Sequence, residues 1–165
     1  IIKKGRKIEQ DKIDLNLSFY VDISGSMGND VVAKIFNNLY SNSKSITDTY
    51  TKTYKDVLNN VIFNYYSFNE NIQKISNNHI PTSSGGNVPL DTLIKYIKKY
   101  TETSLINIII TDAGFEIDND KIINEMNNID GFLIIITNNV SSWNGYNIIE
   151  QKSNGKIIAI HTSEF

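Results

Sequence analysis

The apolar positions along this chain follow two rhythms. Leu15 to Val21 alternates and then turns fully apolar, as a strand in the middle of a sheet does. Val61 to Phe68, Leu105 to Thr111, Phe132 to Thr137 and Ile157 to His161 are further strand-like runs. Between them the spacing becomes helical. Val31, Val32, Ile35, Phe36 and Leu39 follow the helix-start chemistry of Gly28-Asn29-Asp30. Ser41 to Ser45 predicts a break, and a second helical piece is expected over residues 47–59, with Tyr50, Tyr54, Val57 and Leu58 on one face. Leu90, Leu93, Ile94 and Ile97 form the stripe of another helix. Pro89 sits in its first turn, where a missing N–H costs nothing, and Lys98 and Lys99 suit its end. Asp118 caps a helix with Ile122, Ile123 and Met126 on its apolar face, ending near Gly131. Asn69-Glu70-Asn71 turns one strand back into a short partner, Ile72 to Ile75, and residues 76–87 form a polar loop. Trp143 and Tyr146 fall in a loop after the Phe132–Thr137 strand.

Strands alternate with helices through most of the chain. This predicts a three-layer, Rossmann-like α/β fold with a mostly parallel central sheet, a short antiparallel hairpin strand and helices on both faces. Residues 1–12 read as a polar, basic lead-in and residues 13–165 as one domain; a chain of 165 residues can bury a sound core. The first residue is Ile1 rather than Met, so the chain reads as a piece of a larger protein whose other domains are expected partners.

Composition narrows the function classes. The chain is 40% hydrophobic and 21% charged with a net charge of −2, so it has no global field for nucleic acid or an anionic membrane. No basic stripe with interleaved aromatics appears, and no stretch is long and apolar enough to span a bilayer. With no cysteine there is no disulfide, thiol nucleophile or cysteine metal site. A reducing compartment fits, and a cytoplasmic location is expected. Arginine occurs once, at Arg6, while Asn, Ile, Lys and Tyr are heavily used, so Asn-rich patches carry little weight.

The chemistry concentrates after the first strand. Asp22-Ile23-Ser24-Gly25-Ser26 places one carboxylate and two hydroxyls at alternate positions. Such oxygens suit Mg²⁺, Mn²⁺ or Ca²⁺ rather than a soft metal. In open parallel sheets, ligands sit at the carboxyl ends of the strands. Asp112 follows the Leu105–Thr111 strand, and Ser83-Ser84-Gly85-Gly86-Asn87 enters a helix, so both belong to the same edge as Asp22. Each residue also has a plainer reading. Ser24 and Ser26 suit a turn beside Gly25, Asn87 a helix cap, and Asp112 a cap or loop.

The Asp22-Ile23-Ser24-Gly25-Ser26 run resembles the Asp-x-Ser-x-Ser signature of von Willebrand factor type A (VWA) domains, part of their metal-ion-dependent adhesion site. The Gly85-Gly86 loop and Thr111-Asp112 follow in that family's order, and the likeness covers roughly residues 14–163. The resemblance implies that Ser24 and Ser26 ligate Mg²⁺ directly. It implies that Asp22 and Asp112 hold the ion mainly through waters and the serines, and that a partner's Asp or Glu completes the shell. The family usually has Thr after the second glycine, where this chain has Asn87, whose carbonyl can also ligate a hard cation; Thr82, Ser83 and Ser84 are alternatives. Ala113-Gly114 stands where many relatives have Gly directly after the Asp. The chain also looks similar to VWA-like domains that follow a metallopeptidase-like or ATPase-associated region in bacterial and phage proteins.

The expected function is a Mg²⁺-dependent protein-interaction module, not an enzyme. The alternatives are a VWA scaffold with a non-functional metal site and, less favoured, a Mg²⁺-dependent phosphohydrolase. Phosphatases resembling haloacid dehalogenases want a second Asp two residues after the first, where this chain has Ser24. His79 and His161 lack ligand-like neighbours. Asp91, Glu116, Asp118 and Asp120 read as solvated helix-start charges or as a rim to the site. Trp143 and Tyr146 read as packing residues or partner contacts.

Overall fold

The computed structural model describes residues 11–100, 105–112 and 118–165. In chain order its elements are β1 (Ile13–Asp22), α1 (Asn29–Thr53), β2 (Leu58–Phe68), β3 (Ile72–Ile75), α2 (Leu90–Tyr100), β4 (Ile106–Thr111), α3 (Asn119–Asn127), β5 (Phe132–Thr137), α4 (Val140–Lys152) and β6 (Ile157–His161). The strands form one sheet in the order β3-β2-β1-β4-β5-β6. Every neighbouring pair is parallel except β2 and β3, which form an antiparallel hairpin. This is the three-layer, Rossmann-like α/β arrangement expected from the alternation of strands and helices.

The sheet alternates its side chains, and both faces are apolar. On one face Tyr20, Ile109, Leu133 and Ile135 pack under Leu90, Leu93 and Ile94 of α2, Ile122 and Met126 of α3, and Tyr146 and Ile149 of α4. On the other face Val21 and Ile110 pack under Val32, Ile35 and Phe36 of α1. Burying one such side chain fully stabilises the fold by about 1.5–3 kcal/mol. Registry between β1 and β2 is reinforced by Tyr20 and Tyr66, directly opposite one another, whose rings stack at 4.6 Å.

The chain leaves β1 for β2 on one side and reaches β4 on the other. The carboxyl ends of β1 and β4 therefore flank the point where the strand order reverses, which in such sheets opens a crevice for ligands. Asp22 is the last residue of β1, and Asp112 directly follows β4.

Several local expectations are corrected. No break occurs at residues 41–45, because α1 is continuous from Asn29 to Thr53. Its polar side chains bond back to the helix's own carbonyls: Ser41 and Asn42 donate to Asn38 O, and Ser43 donates to Tyr40 O. The helix does not extend to residue 59 either, since β2 begins at Leu58 and Val57 lies in the turn before it. Pro89 precedes α2 and supplies the carbonyl that accepts from Leu93 N at 3.2 Å. The Gly28-Asn29-Asp30 segment makes no side-chain cap; Gly28 takes φ 76° and Asn29 Oδ1 instead accepts from Ser83 N at 2.8 Å. Asp118 does cap α3, accepting from Lys121 N at 3.2 Å.

The stretch after β5 is a helix, not a loop. Asn139 caps α4 by accepting from Ser142 N at 3.1 Å, and Tyr146 is fully buried, which excludes it as a partner contact. No helix among the described residues is long and apolar enough to cross a membrane. The lead-in expected over residues 1–12 lies largely outside the described residues, as do Ala113-Gly114 and Glu116.

Candidate functional site

The site is built from the ends of two adjacent parallel strands and the loop before α2. β1 delivers Asp22 with its side chain fully buried and Ser24 nearly so, at 3% exposure. A turn then swings Ser26 out to the surface. Asp22 Oδ1 accepts from Ser24 N at 2.7 Å, tying the turn to the strand that precedes it. Asp22 Oδ2 accepts from the Thr111 hydroxyl at 2.6 Å, so the last residue of β4 grips the carboxylate from the neighbouring strand.

The two hydroxyls of the motif share a hydrogen bond at 3.1 Å, and Ser26 Oγ donates to Asp112 Oδ1 at 3.0 Å. Asn87 reaches in from the third segment, its Nδ2 lying 3.4 Å from both Asp22 Oδ2 and Ser24 Oγ. The structure therefore brings together Asp22, Ser24, Ser26, Asn87 and Asp112. Asn87 lies three residues before α2 and Asp112 six before the Asp118 cap, so neither caps a helix among the described residues. Of the candidates in the Gly-Gly loop, Asn87 is the one whose side chain is turned to Asp22 and Ser24.

The loop of residues 84–87 is fastened on two sides. Toward the motif, Ser84 N donates to Ile23 O at 2.7 Å and Gly25 N donates to Gly85 O at 3.0 Å. Toward the β2–β3 turn, Asn69 Nδ2 donates to Ser84 O at 3.0 Å, and Gly86 N donates to Glu70 Oε1 at 3.1 Å. Gly85 takes φ +74°, a conformation that favours glycine. A Cβ on Gly86 would sit 3.3 Å from Glu70 Oε1, so the second glycine lets the carboxylate approach.

The electrostatics are acidic and partly dry. Burial raises the Asp112 carboxyl above the ordinary carboxylate range; the Ser26 hydrogen bond pulls it back, and the negative charge of Asp22 pushes it up again. Among the described residues no group of three His, Cys, Asp or Glu side chains comes together. The donors here are two carboxylates, two hydroxyls and one amide, all hard oxygen-bearing groups of the kind a hard cation takes.

Asn87 tests the fit. Its Oδ1 is buried without a hydrogen-bond partner, which costs about 1–3 kcal/mol. The amide nitrogen donates to the Asp22 carboxylate and the Ser24 hydroxyl, both at 3.4 Å. Rotating the amide would place Oδ1 where Nδ2 now lies, 3.4 Å from both oxygens. The residues present fit a hard divalent cation.

Sequence reasoning missed Thr111, Asn69 and Glu70. The first was legible only as the residue before Asp112; the other two read as hairpin-turn chemistry. Of the other candidates, the exposed His79 uses its backbone carbonyl to accept from the Tyr40 hydroxyl at 2.6 Å, and His161 meets Trp143 edge-on at 6.3 Å. Asp91 and Asp118 pair with Lys95 and Lys121 on their own helices. No protein-family model matches the sequence, and no curated protein matches it.

Proposed function

We propose that this chain is a VWA-type protein-interaction module that binds an acidic residue of a partner through Mg²⁺ held at a metal-ion-dependent adhesion site. The observation that carries this reading is the convergence of Ser24, Ser26, Asp112 and Asn87 about the buried Asp22. Ser24 and Ser26 would hold the ion directly, Asn87 through its amide oxygen, and Asp22 and Asp112 through their charge and their hold on the serines. Mg²⁺, or Mn²⁺ or Ca²⁺ in its place, would supply a positive centre that is seldom caged entirely by protein and accepts an outside carboxylate.

The chain's own residues support recognition over catalysis. Asp22 is fully buried with both oxygens engaged, so it is poorly placed to attack phosphorus. Ser24 stands where a phosphatase of the haloacid dehalogenase type wants an acid. A second reading, a VWA scaffold with a silent metal site, is favoured by Asn87 standing where the family usually has Thr.

Thermal unfolding in rising Mg²⁺ and Mn²⁺ decides between the two. Metal at 100 times its Kd should stabilise the domain by about 2.7 kcal/mol, or about 5–11 °C. Asp22→Ala should abolish the response. An array of peptides each carrying one Asp or Glu, probed with Mg²⁺ and then EDTA, tests the partner chemistry. Capture that survives EDTA rejects the adhesion-site reading.

A further inference from the structure

The Gly85–Asn87 segment has no helix or strand of its own, yet it must hold the Asn87 amide within reach of Asp22 and Ser24. The contacts that fix it from outside the motif come from the hairpin turn between β2 and β3. Asn69 brackets the segment: its side chain donates to Ser84 O at 3.0 Å, and its backbone carbonyl accepts from Val88 N at 2.8 Å. Asn69 also orders its own turn, its Oδ1 accepting from Asn71 N at 2.9 Å. Glu70 then closes on the middle of the segment, accepting from Gly86 N at 3.1 Å.

That last contact is unlike the others. Glu70 is exposed and has no basic partner among the described residues' ion pairs, so an aqueous carboxylate would ordinarily stay free. Here it spends its charge on one backbone N–H, one residue before Asn87. A charged acceptor makes a stronger hydrogen bond than a neutral one. The glycine at position 86 removes the Cβ that would crowd the Glu70 carboxylate at 3.3 Å. Glu70 and Gly86 thus meet closely at the residue before Asn87.

We propose that Glu70 is a positioning residue for the metal site: by holding Gly86 N it presets the backbone that delivers the Asn87 amide to the cation. The inference rests on the metal-site reading above. Among the described residues Glu70 shows no hydrogen bond to a proposed ligand, so its effect is expressed through affinity. Because the bond is already made without metal, its loss lowers affinity only by the cost of ordering the segment, at most roughly tenfold for a charge-assisted hydrogen bond.

Mn²⁺ is the probe, titrated by electron paramagnetic resonance into the whole chain and its variants at a temperature well below unfolding. Glu70→Ala should bind Mn²⁺ more weakly, by up to about tenfold, while Glu70→Gln, which keeps the acceptor oxygen, should stay within about threefold of the parent. Gly86→Ala should also weaken binding, yet cost little more in the Glu70→Ala background, because both changes break one contact. A merely structural role would lower the unfolding temperature without that rescue and without that coupling. Parent-like affinity in Glu70→Ala, or additive losses in the double variant, overturns the inference and leaves the metal site standing. No Mn²⁺ binding by the parent overturns the metal-site reading and the inference with it.

Discussion

Thr111 donates its hydroxyl to Asp22 Oδ2 at 2.6 Å, joining the last residue of β4 to the carboxylate that ends β1. A carboxylate as buried as Asp22 would cost several kcal/mol if left without donors. Three donors offset that cost: the Thr111 hydroxyl, Ser24 N at 2.7 Å and, more weakly, Asn87 Nδ2 at 3.4 Å. Thr111→Val keeps the shape and removes the donor, so it should destabilise the domain by about 1.5–3 kcal/mol. Thr111→Ser, which keeps the hydroxyl, should cost under about 1.5 kcal/mol. Urea titrations of the two variants check this ordering, and equal midpoints would contradict it.

Ser26 offers the opposite case. Its side chain is exposed, and its contacts are the Ser24 hydroxyl and Asp112. Ser26→Ala should change metal-free stability by no more than about 0.5 kcal/mol; if the proposed metal site holds, it should also sharply reduce stabilisation by Mn²⁺. Melting curves with and without Mn²⁺ separate the two effects. A variant that loses stability but keeps its full metal response would place Ser26 in the fold rather than the site.

Asp112 gives a pH dependence of definite sign. Its folded-state carboxyl lies above the ordinary value of 3.8, chiefly through burial. The folded protein thus holds the proton more tightly than the unfolded chain. Stability from this group is complete below pH 3.8, falls as pH rises through the raised folded value, and is then constant. Asp112→Asn removes that fall. The metal-free variant should therefore gain stability relative to the parent as pH rises through this window. Urea unfolding at a series of pH values gives the difference curve; a difference that shrinks with pH refutes the assignment.

These relationships show what the sequence discloses and what it hides. The strands were legible because Ile-rich runs such as Leu105–Thr111 have one reading in a chain that alternates with helices. The site was legible because strand ends gather on one edge by topology, which joins Asp22 to Asp112 across 90 positions. The continuity of α1 was not, because Ser and Asn favour breaks until their side chains bond back to carbonyls in the turn behind them. In α4 the buried positions are Ser142, Tyr146 and Ile149, a helical spacing masked by the serine at its head. Glu70 was hidden for a different reason: its partner is a backbone N–H, which no side-chain pattern reports.

Tyr40 should dominate part of the alkaline limb. Burial, with Tyr65 nearby, pushes its hydroxyl from 10.0 up to about 12, and it donates to His79 O at 2.6 Å. Above pH 10 the unfolded chain ionises this tyrosine while the folded protein holds its proton, so stability falls between pH 10 and about 12. Tyr40→Phe should flatten that fall, at the cost of one hydrogen bond at neutral pH. Urea midpoints at neutral pH and at two alkaline pH values suffice, and an unchanged alkaline slope would show that other groups set it.

The β6 edge is sealed by the helix before it. β5 pairs with Lys156 O and Thr162 N among others, which leaves the backbone groups of Ile157 and Ala159 facing outward. Ile157 N donates to Ser153 Oγ at 3.0 Å, Ala159 N donates to Glu150 Oε2 at 3.2 Å, and Trp143 Nε1 donates to Ala159 O at 3.4 Å. Exposed Ile158 and Ile160 and the absence of charge from Ile157 to His161 make this a strand that would otherwise template pairing with another chain. The double variant Trp143→Phe with Glu150→Ala keeps most of the packing but frees both groups of Ala159. It should self-associate more than the parent with rising concentration, while Glu150→Gln alone, which retains an acceptor, behaves as the parent does. Adding Ile160→Lys should restore the parent's behaviour, because charge on an edge strand opposes pairing. Light scattering across a concentration series reads all three. A double variant that associates no more than the parent would mean that these side chains fasten α4 to β6 without guarding the edge.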